Sequence, residues 1–222
     1  MTSTRSDRQY LPAAGHDWFL PLYDPLTRLL GFDTARRVLL DQAALQPGHR
    51  VLDVGCGTGS LALMITRQHP AVDVVAVDPD PRALARAERK ASRAGVAVRF
   101  DRGFGDALGY PNSRFDRVFS SMMFHHLTLD EQPRMLQEIR RVLKPGGRLE
   151  FLDFAGADAH GSHGLSRLIH SHQRLNGNSP ERIIGLMSAA GFAVARLTRL
   201  QRTIFGRVAF FQGVAPARPR ES

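Results

Sequence analysis

The chain has 222 residues and 43% hydrophobic content, enough for one domain with its own core. Its single cysteine, Cys56, excludes a disulfide framework and a multi-cysteine metal centre. No apolar run reaches a membrane span and no signal-peptide core opens the chain, so a cytoplasmic location is expected. The formal charge of +9 raises the question of nucleic acid. Only Lys90 and Lys144 are lysines, and the arginines (Arg36, Arg37, Arg82, Arg86, Arg140, Arg141, Arg199 among them) are scattered rather than massed. That distribution reflects an arginine-rich composition better than a nucleic-acid module.

In chain order, residues 1–46 are expected to form an N-terminal cap, polar to Pro12 and then apolar and helix-compatible, broken by Pro21 and Pro25. Residues 47–154 alternate strand and helix. Arg50–Val54 is a strand, Ser60–His69 a helix, and the β-branched run Val72–Val77 a buried strand. A helix starts at Pro81 and stops at Gly95, followed by strands at Val96–Arg102 and Phe115–Ser120. Thr128 and Glu131 form a capping box ahead of Met135, Leu136, Ile139, Val142 and Leu143 at helical spacing. Pro145-Gly146-Gly147 turns into a strand at Arg148–Phe154. Residues 155–179 read as a lid-like insertion, Ser179-Pro180 caps a helix ending near Gly191, and strands near Phe192–Leu200 and Gly206–Val214 precede a polar tail at 215–222. This alternation predicts an α/β fold, doubly wound and Rossmann-like, with a mostly parallel seven-stranded sheet, helices on both faces and an antiparallel C-terminal strand.

The stretch "VLDVGCGTGSLAL" (Val51–Leu63) carries Gly55, Gly57 and Gly59 between a strand and a helix. A triphosphate loop would need Gly-Lys-Ser/Thr at its end, and here Gly59 is followed by Ser60 and Leu61. The dinucleotide spacing G-x-G-x-x-G would place glycine at position 60, which is serine. "VVAVDPD" then sets Asp78 where the next strand leaves the sheet, and a carboxylate there can accept both hydroxyls of a ribose. Together the two features describe a nucleoside held across the first two strands.

These stretches, with "GDALGYPNSRFDRVFSSMMFHHL" and "RRVLKPGGRLEFLDF", resemble the successive motifs of class I S-adenosylmethionine-dependent methyltransferases. "LYDPL" and "KPGGRLEFLDF" are most similar to the ubiquinone/menaquinone C-methyltransferase group. The resemblance implies that Gly55, Gly57, Thr58 and Gly59 wrap the methionine end of S-adenosylmethionine, with S-adenosylhomocysteine as product. It further implies that Asp78, with Pro79, holds the ribose, that Asp106 accepts from the adenine amino group with the Ala107 N–H facing the ring, and that Ser121 lines the pocket. Tyr23 belongs to the same expected set, and Asp53 orients the loop or the cofactor's ammonium.

Methyl transfer from a sulfonium is an in-line displacement, so alignment and water exclusion are the protein's main tasks. The candidate general bases are His125 and His126 after the fourth strand, one of the two expected to be structural. Asp153, at the end of the fifth strand, is expected to cap the loop that follows or to bind substrate. His160, His163, His170 and His172 lack a carboxylate or cysteine partner at ligand spacing, and no metal is assigned. Trp18, Phe19, Tyr23, Met122, Met123, Phe124, Leu168 and Ile169 are the candidate wall for a small hydrophobic or aromatic methyl acceptor. An RNA or other nucleic-acid methyltransferase is the alternative enzyme reading; against it stand Ser-Ser-Met-Met after the fourth strand and the absence of a basic, aromatic-interleaved module. A non-catalytic S-adenosylmethionine-binding protein is a further alternative, and homodimerisation is left open.

Overall fold

In a computed structural model, residues 32–155, 179–203 and 206–218 are described. Helix α1 (Phe32–Gln42) leads into β1 (Arg50–Val54), α2 (Ser60–Gln68), β2 (Asp73–Asp78), α3 (Pro81–Ala94), β3 (Arg99–Arg102) and β4 (Phe115–Ser121). A 3-10 turn (Phe124–His126), α4 (Glu131–Val142), β5 (Leu143–Phe154), α5 (Pro180–Ala189), β6 (Val194–Thr203) and β7 (Gly206–Val214) follow. The seven strands are ordered β3-β2-β1-β4-β5-β7-β6. Only β7 runs antiparallel to its neighbours. The expected doubly wound sheet with an antiparallel C-terminal strand is what the chain forms.

The local signals act as the sequence suggests. Asp80 accepts from the Arg82 N–H at 2.8 Å and Pro81 opens α3, while Gly95 ends it at φ 63°. The capping box is reciprocal: the Thr128 N–H donates to Glu131 Oε2 (2.9 Å) and the Glu131 N–H to Thr128 Oγ1 (3.3 Å). One difference concerns β5, which begins at Leu143 rather than Arg148. Leu143 already pairs with Phe115, and a register shift on the β4 side absorbs the Lys-Pro-Gly-Gly segment.

Two apolar layers flank the sheet. Met135, Leu136 and Ile139 of α4 and Ile183 and Met187 of α5 pack with Leu52, Val118 and Phe151 on one side. Ala35, Leu39 and Leu40 of α1 and Leu61 and Ile65 of α2 pack with Val51, Phe119 and Phe210 on the other. Helix α1 is tied to the sheet by a polar link as well. Fully buried Glu150 accepts from Gln42 Nε2 (2.7 Å) and Gln212 Nε2 (3.1 Å), so its carboxylate is satisfied without solvent.

Candidate active site

The first two parallel strands to the right and left of the crossover, β1 and β4, release their chains at the same sheet edge, where open α/β folds bind ligands. A cleft of about 470 Å³ opens there. It gathers Asp53, Gly55, Gly57, Thr58, Asp78, Pro79, Asp106, Ser121 and His126. Met122 and Met123 from the expected acceptor wall line it too.

The glycine turn is shaped by its surroundings. Gly55 sits at φ 73°, and a Cβ there would run into the Met123 side chain. Gly57 has open space where a Cβ would be, so its backbone is bare to the cleft. Its N–H donates to Asp78 Oδ2 at 2.8 Å, and the Asp80 N–H donates to Asp78 Oδ1 at 2.9 Å. Asp78 thus staples the turn to β2 while burial pushes its pKa up against those two bonds. On the outer side Lys90 donates to Thr58 O (2.9 Å) and Ser60 Oγ (3.0 Å), fixing the turn on α3.

Asp53 is the most constrained acid in the cleft. It is 1% exposed, and its Oδ2 has no hydrogen-bond partner. Burial pushes its pKa up to about 7, Arg36 opposing and Asp78 adding to the rise. Around it stand Asp78, Asp80, Asp106 and Glu131 against one arginine, Arg36. In a chain with an excess of nine positive charges, the described lining of this cleft holds more carboxylates than guanidinium groups, so it suits a ligand carrying positive charge.

The two histidines part company. His125 is 3% exposed and does not line the cleft; its Nδ1 lies 2.7 Å from Asp153 Oδ1, and its ring packs edge-on against Phe154. Because a carboxylate only accepts, that nitrogen carries the hydrogen. Of the pair, His125 thus stands outside the cleft as the described residues line it, turned toward Asp153. His126 does line the cleft. Burial, reinforced by His125, pulls its pKa down to about 4. It is neutral near pH 7 and can accept a hydrogen bond from something in the cleft. Asp153 does more than cap a loop: besides His125 it accepts from the Phe124 N–H (2.8 Å) and the Phe154 N–H (2.7 Å).

Three further expectations are corrected. The Ala107 N–H donates to the Phe104 carbonyl at 3.1 Å and Ala107 does not reach the cleft, so it is not free to face a ring. Gly59 stands behind the turn; its φ is 74° and a Cβ would press on Ala87 at 2.8 Å, which makes it a packing glycine between turn and α3. Phe124 is fully buried edge-on against Phe151 and belongs to the core, not the acceptor wall. Tyr23, Trp18, Phe19, Leu168, Ile169, His160, His163, His170 and His172 lie outside the described residues. Burial, with Asp53 and Asp78 adding to it, holds the Cys56 thiol well above the usual range, so its surroundings disfavour the thiolate a nucleophile needs.

Sequence reasoning missed Arg36, Phe104, Leu127, Thr128 and Glu131 in the cleft. Arg36 had a legible signal. The buried stripe of α1 is Phe32, Ala35, Arg36, Leu39 and Leu40, so an arginine occupies an apolar position at helical spacing. It is 8% exposed and donates to Asp33 at 3.0 Å. Met122, at φ 58°, is a second signal visible only in the fold, a bulky residue in the left-handed region beside the cleft.

Comparison with known proteins agrees with this geometry. Residues 51–147 match the methyltransferase domain family. The demethylmenaquinone methyltransferase of Thermus thermophilus is 34% identical over 221 residues, covering 88% of this chain and 97% of that protein. The 2-phytyl-1,4-naphtoquinone methyltransferase of Synechococcus elongatus is 32% identical over 143 residues, covering 62% of this chain and 60% of that protein. Among solved structures, the YcgJ protein of Bacillus subtilis superposes with a TM-score of 0.69 at 20% identity, covering 83% of this chain and 99% of that one, a likeness of fold. Cleft, glycine turn, acid at the end of β2 and full-length similarity thus converge: the chain belongs to the class I S-adenosylmethionine-dependent methyltransferases, in the ubiquinone/menaquinone C-methyltransferase group.

Proposed function

We propose that this enzyme methylates a ring carbon of a reduced, lipid-tailed quinone. The observation that carries the reading is the buried Asp53 carboxylate, whose Oδ2 has no hydrogen-bond partner, in an acid-lined cleft, in a chain similar over nearly its whole length to a demethylmenaquinone methyltransferase. When bound, S-adenosylmethionine supplies an electrophilic methyl group on a sulfonium. The residues present fit it. Asp53 Oδ2 offers a partnerless acceptor to its ammonium, Asp78 a carboxylate to its ribose, and Asp106 an acceptor beside its base, with Ser121, Thr58 and the bare Gly57 backbone completing the cradle. Arg36, beside Asp53, is placed to meet the carboxylate end.

The acceptor must be nucleophilic at carbon, which selects the quinol over the quinone, since the oxidised ring is electron-poor. His126, neutral near pH 7, can accept the hydrogen bond of a ring hydroxyl and raise electron density at the adjacent carbon. Met122 and Met123 supply flexible apolar surface against the ring. Incubating the enzyme with labelled S-adenosylmethionine and demethylmenaquinol is expected to give one C-bound methyl per ring. An O-methyl product, or none with any naphthoquinol, overturns the reading.

Asp53 gives this assignment a pH signature. An ammonium beside it favours the ionised carboxylate, whereas the ligand-free carboxyl, at about 7, is mostly protonated in mild acid. Cofactor affinity therefore tightens as pH rises, by about tenfold from about pH 5.5 to about pH 7. Calorimetric titration should show this slope in the native enzyme and a weaker, flat profile in Asp53→Asn. A flat native profile removes Asp53 from the ammonium site.

A further inference from the structure

Strand β6 is the outermost strand of the sheet and pairs only with β7. Both are free of acidic residues, yet they carry Arg196, Arg199, Arg202 and Arg207. Large apolar side chains stand exposed beside them: Val194 at 41%, Leu197 at 38% and Leu200 at 37%. The register sets Leu197 opposite Phe211, Leu200 opposite Ala209 and Arg202 opposite Arg207, so these residues share the sheet face that α5 only partly covers, while Val194, Arg196 and Arg199, opposite Val214, Gln212 and Phe210, flank the same outer strand from the other face. Arg196 donates to Gln212, an uncharged partner, and Arg207 feels Glu181 of α5. No salt bridge joins Arg199 or Arg202 to a carboxylate among the described residues.

The position matters as much as the composition. Val208 pairs with Phe154 and Thr203 with Gly206, so the closed end of the hairpin lies at the carboxyl edge of the parallel strands. That is the edge on which the cleft opens. Leu129, 62% exposed just after β4 and the 3-10 turn, lies at this edge too.

We infer that the β6–β7 hairpin docks the enzyme on an anionic lipid bilayer, presenting the cleft to an acceptor whose tail stays in the membrane. The inference rests on the lipid-tailed quinol reading above. Exposed leucines beside the arginines of a strand pair that itself carries no acid match an interface of hydrocarbon beneath negative headgroups. A second copy seated on β6 would set arginines against arginines. RNA would find no exposed aromatic side chain on β6 for stacking. No helix among the described residues is long and apolar enough to cross a membrane, so any approach these elements make to lipid is from the surface.

The test is co-sedimentation of the full chain with phosphatidylcholine vesicles, with and without phosphatidylglycerol, at low and high salt. The native enzyme should sediment with the anionic vesicles at low salt and stay in solution with the neutral ones. The double variant Arg199→Glu/Arg202→Glu should bind at least about tenfold more weakly. Leu197→Ser/Leu200→Ser should weaken binding independently of salt. Both should turn over a tail-less naphthoquinol as the native enzyme does, which also reports folding, while losing activity on a tailed quinol in anionic vesicles. Equal vesicle binding by native and charge-reversed proteins overturns the inference. So does a charge reversal that abolishes tRNA binding or dimerisation while vesicle binding is unchanged. A native enzyme that methylates the tail-less quinol without binding vesicles overturns docking and leaves the quinol reading intact. Vesicle binding without quinol methylation supports docking and overturns that reading instead.

Discussion

Asp78→Ala is expected to weaken S-adenosylmethionine binding about 100-fold, measured by calorimetry. The carboxylate at the end of β2 is 8% exposed and already accepts the Gly57 and Asp80 N–H groups, at 2.8 and 2.9 Å. Each oxygen keeps a second acceptor position, which is how one side chain can fix the glycine turn and also take ribose hydroxyls. The alanine variant loses the acceptor positions proposed for the sugar and leaves the Gly57 N–H without its acceptor, so the turn is no longer held to β2. Hydrogen bonds to a charged acceptor contribute about 1.5–3 kcal/mol each, and losing about 3 kcal/mol is about 100-fold in affinity. Asp78→Asn retains one acceptor oxygen for the turn and should fall between the two. Native affinity in the alanine variant would remove Asp78 from the cofactor site.

The fold was legible wherever a residue's role is local. A continuous β-branched run, a proline at the first helical position and a reciprocal Thr-x-x-Glu box act over a few residues, and the corresponding elements form within about three residues of where they were expected. The glycine turn and Asp78 were legible for the same reason, because each sits at the end of a recognisable strand. Sidedness was not legible. Two adjacent histidines look equivalent in sequence, but a 3-10 turn rotates neighbours by about a third of a turn, which sends His125 to Asp153 and His126 to the cleft. Ala107 failed because an N–H assigned to a ligand was already needed by a backbone carbonyl. Glu150 looks like one polar position in an alternating strand; its two glutamine partners lie 108 and 62 residues away.

Asp153→Ala is the substitution expected to destabilise the enzyme most. The carboxylate is fully buried at the end of β5 and holds the segment after β4 through the Phe124 N–H and the His125 ring, and its own strand end through the Phe154 N–H. Alanine leaves these buried donors, and the His125 N–H at 3.4 Å with them, without their acceptor. The loss should be about 3–5 kcal/mol, a fall in Tm of roughly 10 °C for a chain of this length, read from thermal or urea melts. His125→Ala removes only the ring donor and leaves the Phe124, His125 and Phe154 backbone N–H bonds to Asp153, so it should cost less than half as much. Because Met122, at φ 58°, donates to the Leu152 carbonyl and is carried by the same segment, slackening it also lets the cleft wall relax. Both variants should therefore raise the acceptor KM at temperatures where they remain folded. A loss below about 1 kcal/mol for Asp153→Ala would mean that the turn bearing His126 is held by apolar packing alone.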